Sequence, residues 1–103
     1  MFRRRRFRDV IHHQLALFAQ GDGDLLEDVD NALERYDRAD RDEAEELYGD
    51  YQLAIEAATD RLAELRDTYA RTLDEDDAEQ YVREFNDAVV DRWRDLALTI
   101  EES

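Results

Sequence analysis

The stretch DRADRDE, residues 37 to 43, decides how this chain folds. It puts polar side chains on every face of any helix drawn through it, with Asp40 where an apolar residue is due. On either side the apolar positions are regular. Leu26, Val29, Leu33 and Tyr36 precede it; Ala44, Leu47, Tyr51, Ile55, Ala58, Leu62, Leu65, Tyr69 and Leu73 follow. Their steps of three and four keep one phase, so one long helix across about 24 to 73 is a first expectation, roughly 70 Å at its usual rise. The second expectation is a bend at 37 to 43, with Asp40 and Glu43 restarting the helix as a capping box. Gly49 lies opposite the stripe, where it costs only about 1 kcal/mol of helix propensity.

Toward the N-terminus, a first helix is read from about Arg3 to Gln20, with Phe7, Val10, Ile11, Leu17 and Phe18 on one side and Leu15 widening the stripe. Gly21 reads as its stop, and Asp24 with Glu27 as the start of the next helix. Toward the C-terminus, LDEDDAEQ (73 to 80) offers Asp74 or Asp76 as an N-cap, with Asp77 or Glu79 three residues on. A final helix then begins near Asp77 and carries Ala78, Tyr81, Val82, Phe85, Ala88, Val89, Trp93, Leu96 and Ile100, with Arg92 inside the stripe.

The expected fold is therefore all-α: a single domain over 1–103, an antiparallel bundle of three or four helices with a long or kinked helix across about 24–73. A compact arrangement pairs 3–20 with 24–38 and 42–73 with 76–101. An extended one keeps the long helix continuous and leaves half-covered faces for a second copy to bury in a two-fold dimer.

Proline and cysteine are absent and glycine numbers 3, which favours helix. The lack of cysteine removes disulfides, thiolate catalysis, cysteine-type zinc sites and iron-sulfur clusters. The basic start leads into VIHHQLALFA, but His12, His13 and Gln14 interrupt that run, so neither a signal peptide nor a membrane span is expected. A cytoplasmic location is. The chain holds 29 acidic residues against 14 basic ones, all arginine, for a net charge of −15. A salt-rich cytoplasm or a GC-rich genome accounts for that balance without a specific activity, and the scarcity of Asn and Ile favours the second.

The opening MFRRRRFR gathers Arg3, Arg4, Arg5, Arg6 and Arg8 into a head of +5, against −20 for the rest. Arginine suits phosphate because its planar fork donates paired hydrogen bonds. One reading is a nucleic-acid or anionic-surface contact through these five residues; the other is neutralisation of the protein's own acids. The second is favoured, since so acidic a body repels a polyanion over the roughly 8 to 10 Å of salt screening.

Asp9 and His13, at i and i+4 beside His12, supply too few ligands for a metal, and neither histidine follows the Glu-x-x-His spacing of di-iron bundles. Asp22 with Asp24, and Asp74 to Asp77, lack the calcium-loop pattern and read as helix caps. Arg92 and Asp40, in apolar stripes, read as a snorkelling side chain and a cap. The only serine is Ser103, no threonine has a histidine nearby in sequence, and no Gly-rich phosphate loop exists. No enzyme activity, cofactor or metal is expected. The expected function is a helical interaction or scaffold module that packs on itself as a homodimer or on another helical protein, with Tyr51, Tyr69, Tyr81 and Trp93 as anchors. The alternative is an accessory factor that binds nucleic acid or an anionic surface through the arginine head.

Overall fold

Residues 37 to 43 reverse the chain. In the computed structural model, which describes residues 6–103, helix α2 (Gly23–Asp37) ends there and α3 (Ala44–Ala70) begins. Asp40 is the restart: its carboxylate accepts the Glu43 N–H at 3.0 Å and its carbonyl the Ala44 N–H at 3.0 Å. The Glu43 carboxyl is raised above the usual carboxylate range, because it hydrogen-bonds the Asp40 side chain and sits in its charge. Beyond the turn α3 runs back along α2, with the Tyr36 and Tyr48 rings 5.2 Å apart. The stretch 24–73 is thus a hairpin of two helices, and its unbroken phase carries no information about continuity. Each helix needs an apolar stripe toward the other, and a short loop can join two stripes at any relative phase.

Helix α1 (Arg8–Gly21) meets α2 through the single residue Asp22. Gly21 does not stop it by a left-handed turn, since no residue among those described has positive φ, and the Asp22 N–H still reaches the Phe18 carbonyl at 2.7 Å. The expected Asp24 cap is not used. Asp22 occupies the N-cap position of α2, and its carboxylate turns instead to Arg61 on α3 at 3.4 Å. As a result α1 and α2 follow one another along α3, whereas the compact arrangement read from the sequence folds them onto each other. The 27-residue α3, about 40 Å long, is the spine that both share.

Asp74 caps α4 (Glu75–Arg92) by accepting the Asp77 N–H at 2.9 Å. This helix runs beside α1 in the same direction: Phe7 meets Tyr81 and Phe18 meets Trp93, both edge to face at 5.5 Å. The expected single helix to residue 101 is interrupted at Trp93 (φ −135°, ψ 86°), followed by a 3-10 turn over Arg94–Leu96 and the short α5, Ala97–Glu102. The break returns Leu96 and Ile100 to the core, where each is at most 1% exposed.

Phe18, Leu62, Tyr81, Phe85 and Val89 complete that core. On α1 the inner face is Phe7, Ile11, Leu15 and Phe18, while Leu17, expected in the stripe, is 52% exposed. Positions 11, 15 and 18 follow the i, i+4, i+7 spacing that one neighbour can bury, and 17 lies well around the helix. The molecule measures 51 × 28 × 22 Å with a radius of gyration of 15.6 Å, against about 13 Å for a spherical domain of this length. The excess is the outer part of the α2–α3 hairpin, an arm beyond the end where α3, α4 and α5 pack together.

Among the described residues, Arg6, Arg38, Arg61 and Arg66 form ion pairs with carboxylates. Against 29 acidic side chains this leaves a surface dominated by repulsion. Thermal unfolding followed by circular dichroism should therefore move up by several degrees from low to molar salt, as screening relieves it. A flat or falling melting temperature would mean that the acids and arginines already compensate.

Candidate interaction surface

Of the arginine head, Arg6 does not stand free of its own protein. Arg6 pairs with Asp77 in the first turn of α4, and the Phe7 N–H donates to the Glu84 carboxylate at 3.2 Å. These contacts seat the start of α1 against the acidic entry to α4, Asp74 to Asp77. Arg8 lies exposed at the mouth of a groove between α1 and α4. Arg3, Arg4 and Arg5 lie outside the described residues.

That groove encloses about 350 Å³ over a floor of Ile11 and Leu15, which are only 2% and 3% exposed, so little apolar surface is open to a ligand. On its polar rim Glu84 and Arg92 have partners within the chain. Glu84 accepts from Phe7 and from Gln80 at 2.9 Å, and Arg92, exposed as a snorkelling arginine should be, lies 4.8 Å above the Trp93 ring. His12, on the same rim, and His13 are exposed; among the described residues no three histidine or carboxylate side chains converge as metal ligands.

The four expected anchors separate into two groups. Tyr69 and Tyr81 pack together at 4.7 Å near the α3–α4 turn, and Tyr81 is fully buried with its hydroxyl donating to Gln14 at 2.7 Å. Tyr81 therefore anchors the chain's own core; burial pushes its phenol up to about 12, against the smaller opposing effect of the Gln14 hydrogen bond. Tyr51 and Trp93 lie where the arm leaves the bundle, each half-buried.

Tyr51 belongs to a row of three tyrosines on the arm. Tyr36 and Tyr48 lie 5.2 Å apart and Tyr48 and Tyr51 6.3 Å apart, with Tyr48 still 45% exposed and braced by Gln52 on its hydroxyl at 2.8 Å. Partial burial raises the Tyr51 phenol, and the charges of Asp95 and Asp37 beside it add to the rise. Tyr36 was legible as part of the α2 stripe. Tyr48, off the α3 stripe by one residue, was not, although its position four residues before Gln52 and three before Tyr51 places all three on one helical face.

A second residue escaped the sequence reading altogether. Arg66 on α3 is 3% exposed and holds three helices together. Its guanidinium donates to Asp67 at 2.8 Å, to Asn86 of α4 at 2.9 Å, and to Ser103 Oγ and O beyond α5 at 3.1 and 3.2 Å. With the Ile100 carbonyl also in reach at 3.5 Å, a positive charge faces the negative end of α5.

Comparison with protein families, with curated proteins and with solved structures finds no match for this chain.

Proposed function

We propose that this chain is a non-enzymatic helical interaction module of the cytoplasm, which works by packing the α2–α3 arm on a second copy or on a partner's helix. The observation that carries the reading is the arm's tyrosine row, with Tyr48 left 45% exposed between Tyr36 and Tyr51. Large rigid aromatic rings lose little conformational entropy when an interface forms, which makes such a row an efficient contact surface. Anion binding by the arginine head has less behind it, because Arg6 is held by Asp77.

Tyr48→Ala separates the module from its fold. Its removal should change unfolding free energy by no more than about 0.5 to 1 kcal/mol, since the ring is half in solvent. It should nonetheless dissociate any dimer seen by light scattering, or weaken a helical partner by about tenfold. If both association and partner binding are indifferent to Tyr48, the reading fails.

A further inference from the structure

Helix α5 is joined to α4 by a bend that its sequence does not require. Residues 91 to 97, DRWRDLA, contain neither glycine nor proline, and Val89, Trp93, Leu96 and Ile100 stand at i, i+4, i+7 and i+11, the spacing of one helical face. The chain turns at Trp93 (φ −135°, ψ 86°) and enters the 3-10 turn, where the Leu96 N–H donates to the Trp93 carbonyl at 3.0 Å. Hydrogen bonds of that kind are poorer than α-helical ones, and a helix that ends at Arg92 leaves its last carbonyls outside the helical ladder. With Trp93 at helical dihedrals and the turn relaxed, the N–H groups of residues 94 to 97 would meet the carbonyls of 90 to 93, and α4 would run straight into α5.

The bend itself is not what holds α5 in place. The helix packs on α3 and α4, Leu96 and Ile100 are each at most 1% exposed, and Arg66 donates to Ser103 Oγ and O at 3.1 and 3.2 Å. These contacts join a segment to its seat, whichever copy supplies the segment. We infer that residues 94–103 exchange between two copies of this chain: α4 straightens through Trp93, and Leu96, Ile100 and Ser103 of each copy fill the seat on α3 and α4 of the other. Arg66 of one copy then holds Ser103 of its partner, while Asn86 still accepts from Arg66 within the same copy, as it does at 2.9 Å now. The segment keeps its contacts with α3 and α4, so the two forms differ mainly at the hinge, where helical hydrogen bonds are gained and the Trp93 ring is re-aimed from Phe18.

Charge permits this association. The stretch that two copies newly bring together, residues 91 to 95, holds two aspartates and two arginines and is neutral, although the whole chain carries −15. Lost translational freedom opposes the exchange, so concentration drives it. Because Leu96 and Ile100 must leave the core first, a dimer once formed parts slowly. The exchange makes no use of the tyrosine row and goes beyond the function proposed for the arm.

Refolding the full-length protein from urea at high concentration should give a species of twice the monomer mass by light scattering, and it should survive dilution. Arg94→Pro and Arg94→Ala remove the same charge and test the hinge. Proline suits the bent form, because Arg94 opens the 3-10 turn and Trp93 before it has left helical dihedrals for extended ones. In a continuous helix it would lose one hydrogen bond and clash with the Val90 carbonyl. The dimer fraction should fall at least about tenfold in Arg94→Pro and hold or rise in Arg94→Ala, with both monomers folded by circular dichroism.

A second readout is covalent. Asn86 and Ser103 both accept from Arg66 Nη1, at 2.9 and 3.1 Å, so Asn86→Cys with Ser103→Cys brings two thiols within reach of a short bifunctional thiol reagent in a chain with no other cysteine. Treating the isolated dimer should join the two copies; crosslinks confined within each copy would overturn the exchange. So would a dimer kept in Arg94→Pro, or a monomer at every concentration in both the native protein and Arg94→Ala. A dimer lost in Tyr48→Ala and kept in Arg94→Pro would place association on the arm, overturning the exchange while the proposed function stands.

Discussion

Arg66→Ala should lower the unfolding free energy by about 3 kcal/mol, a loss of some 10 to 20 °C in melting temperature for a domain of this size. The side chain is 3% exposed and bridges α3, α4 and the end of α5, so truncation opens a cavity and strips partners from Asn86 and the α5 carbonyls at once. Its acidic neighbour Asp67 is 52% exposed and returns to water, so no buried charge is orphaned and the cost stays below that of a broken buried ion pair. Arg66→Met restores most of the packing and none of the hydrogen bonds, and should recover about half of the loss. Urea denaturation reads both variants; a loss under about 1 kcal/mol for alanine would show that α5 holds its place without the guanidinium.

Alkaline pH should unfold the protein through Tyr81. Its phenol is pushed from 10.0 to about 12 in the folded state, chiefly by burial. The fold therefore keeps the proton after the unfolded chain has released it, so stability is whole below pH 10 and falls as pH rises from there to about 12. The total loss is roughly 2 to 3 kcal/mol at 1.36 kcal/mol per unit. Tyr81→Phe forfeits the hydrogen bond to Gln14, about 1 kcal/mol at neutral pH, but should flatten the alkaline decline. Stability measured against pH in both proteins decides it: an equal slope would assign the decline to other groups.

Much of this fold was legible because its stripes are simple. The α4 positions Tyr81, Phe85 and Val89 all lie in the core, and the polar run at 37 to 43 ends a helix as its composition implies. The break at Trp93 was hidden for a physical reason. A 3-10 turn places side chains three apart, so Val89, Trp93, Leu96 and Ile100 keep the spacing of an unbroken helix while the backbone changes course. Neither glycine nor proline marks it. Arg66 was hidden by its charge, which reads as solvent-facing beside Leu62, Leu65 and Tyr69 until its partners on α4 and beyond α5 are known.

Of the candidate site, Tyr51 and Trp93 were identified by their place in the stripes, yet their relation was not. Tyr51 comes beside the turn that follows Trp93, next to Asp95, only because α1 and α2 lie in series along α3, an outcome of the one-residue joint at Asp22. Nothing in the periodicity distinguishes that joint from a tight reversal. Tyr69 and Tyr81 carry the same signature as Tyr51 and lie at the opposite end, packed on each other.

In mechanical terms α3 is a cantilever. Its C-terminal half is pinned by Arg66 to α4 and to the end of α5, while its N-terminal end runs beside α2, where Tyr48 meets Tyr36. Tyr48 and Arg66 lie about 27 Å apart on this one uninterrupted helix. A load placed on the arm is thus carried as a bending moment to the Arg66 clamp. Gly49 lies outboard of it, next to Tyr48 and far from the clamp where the moment is greatest, so the residue that restrains a helix backbone least is placed where the bending is smallest.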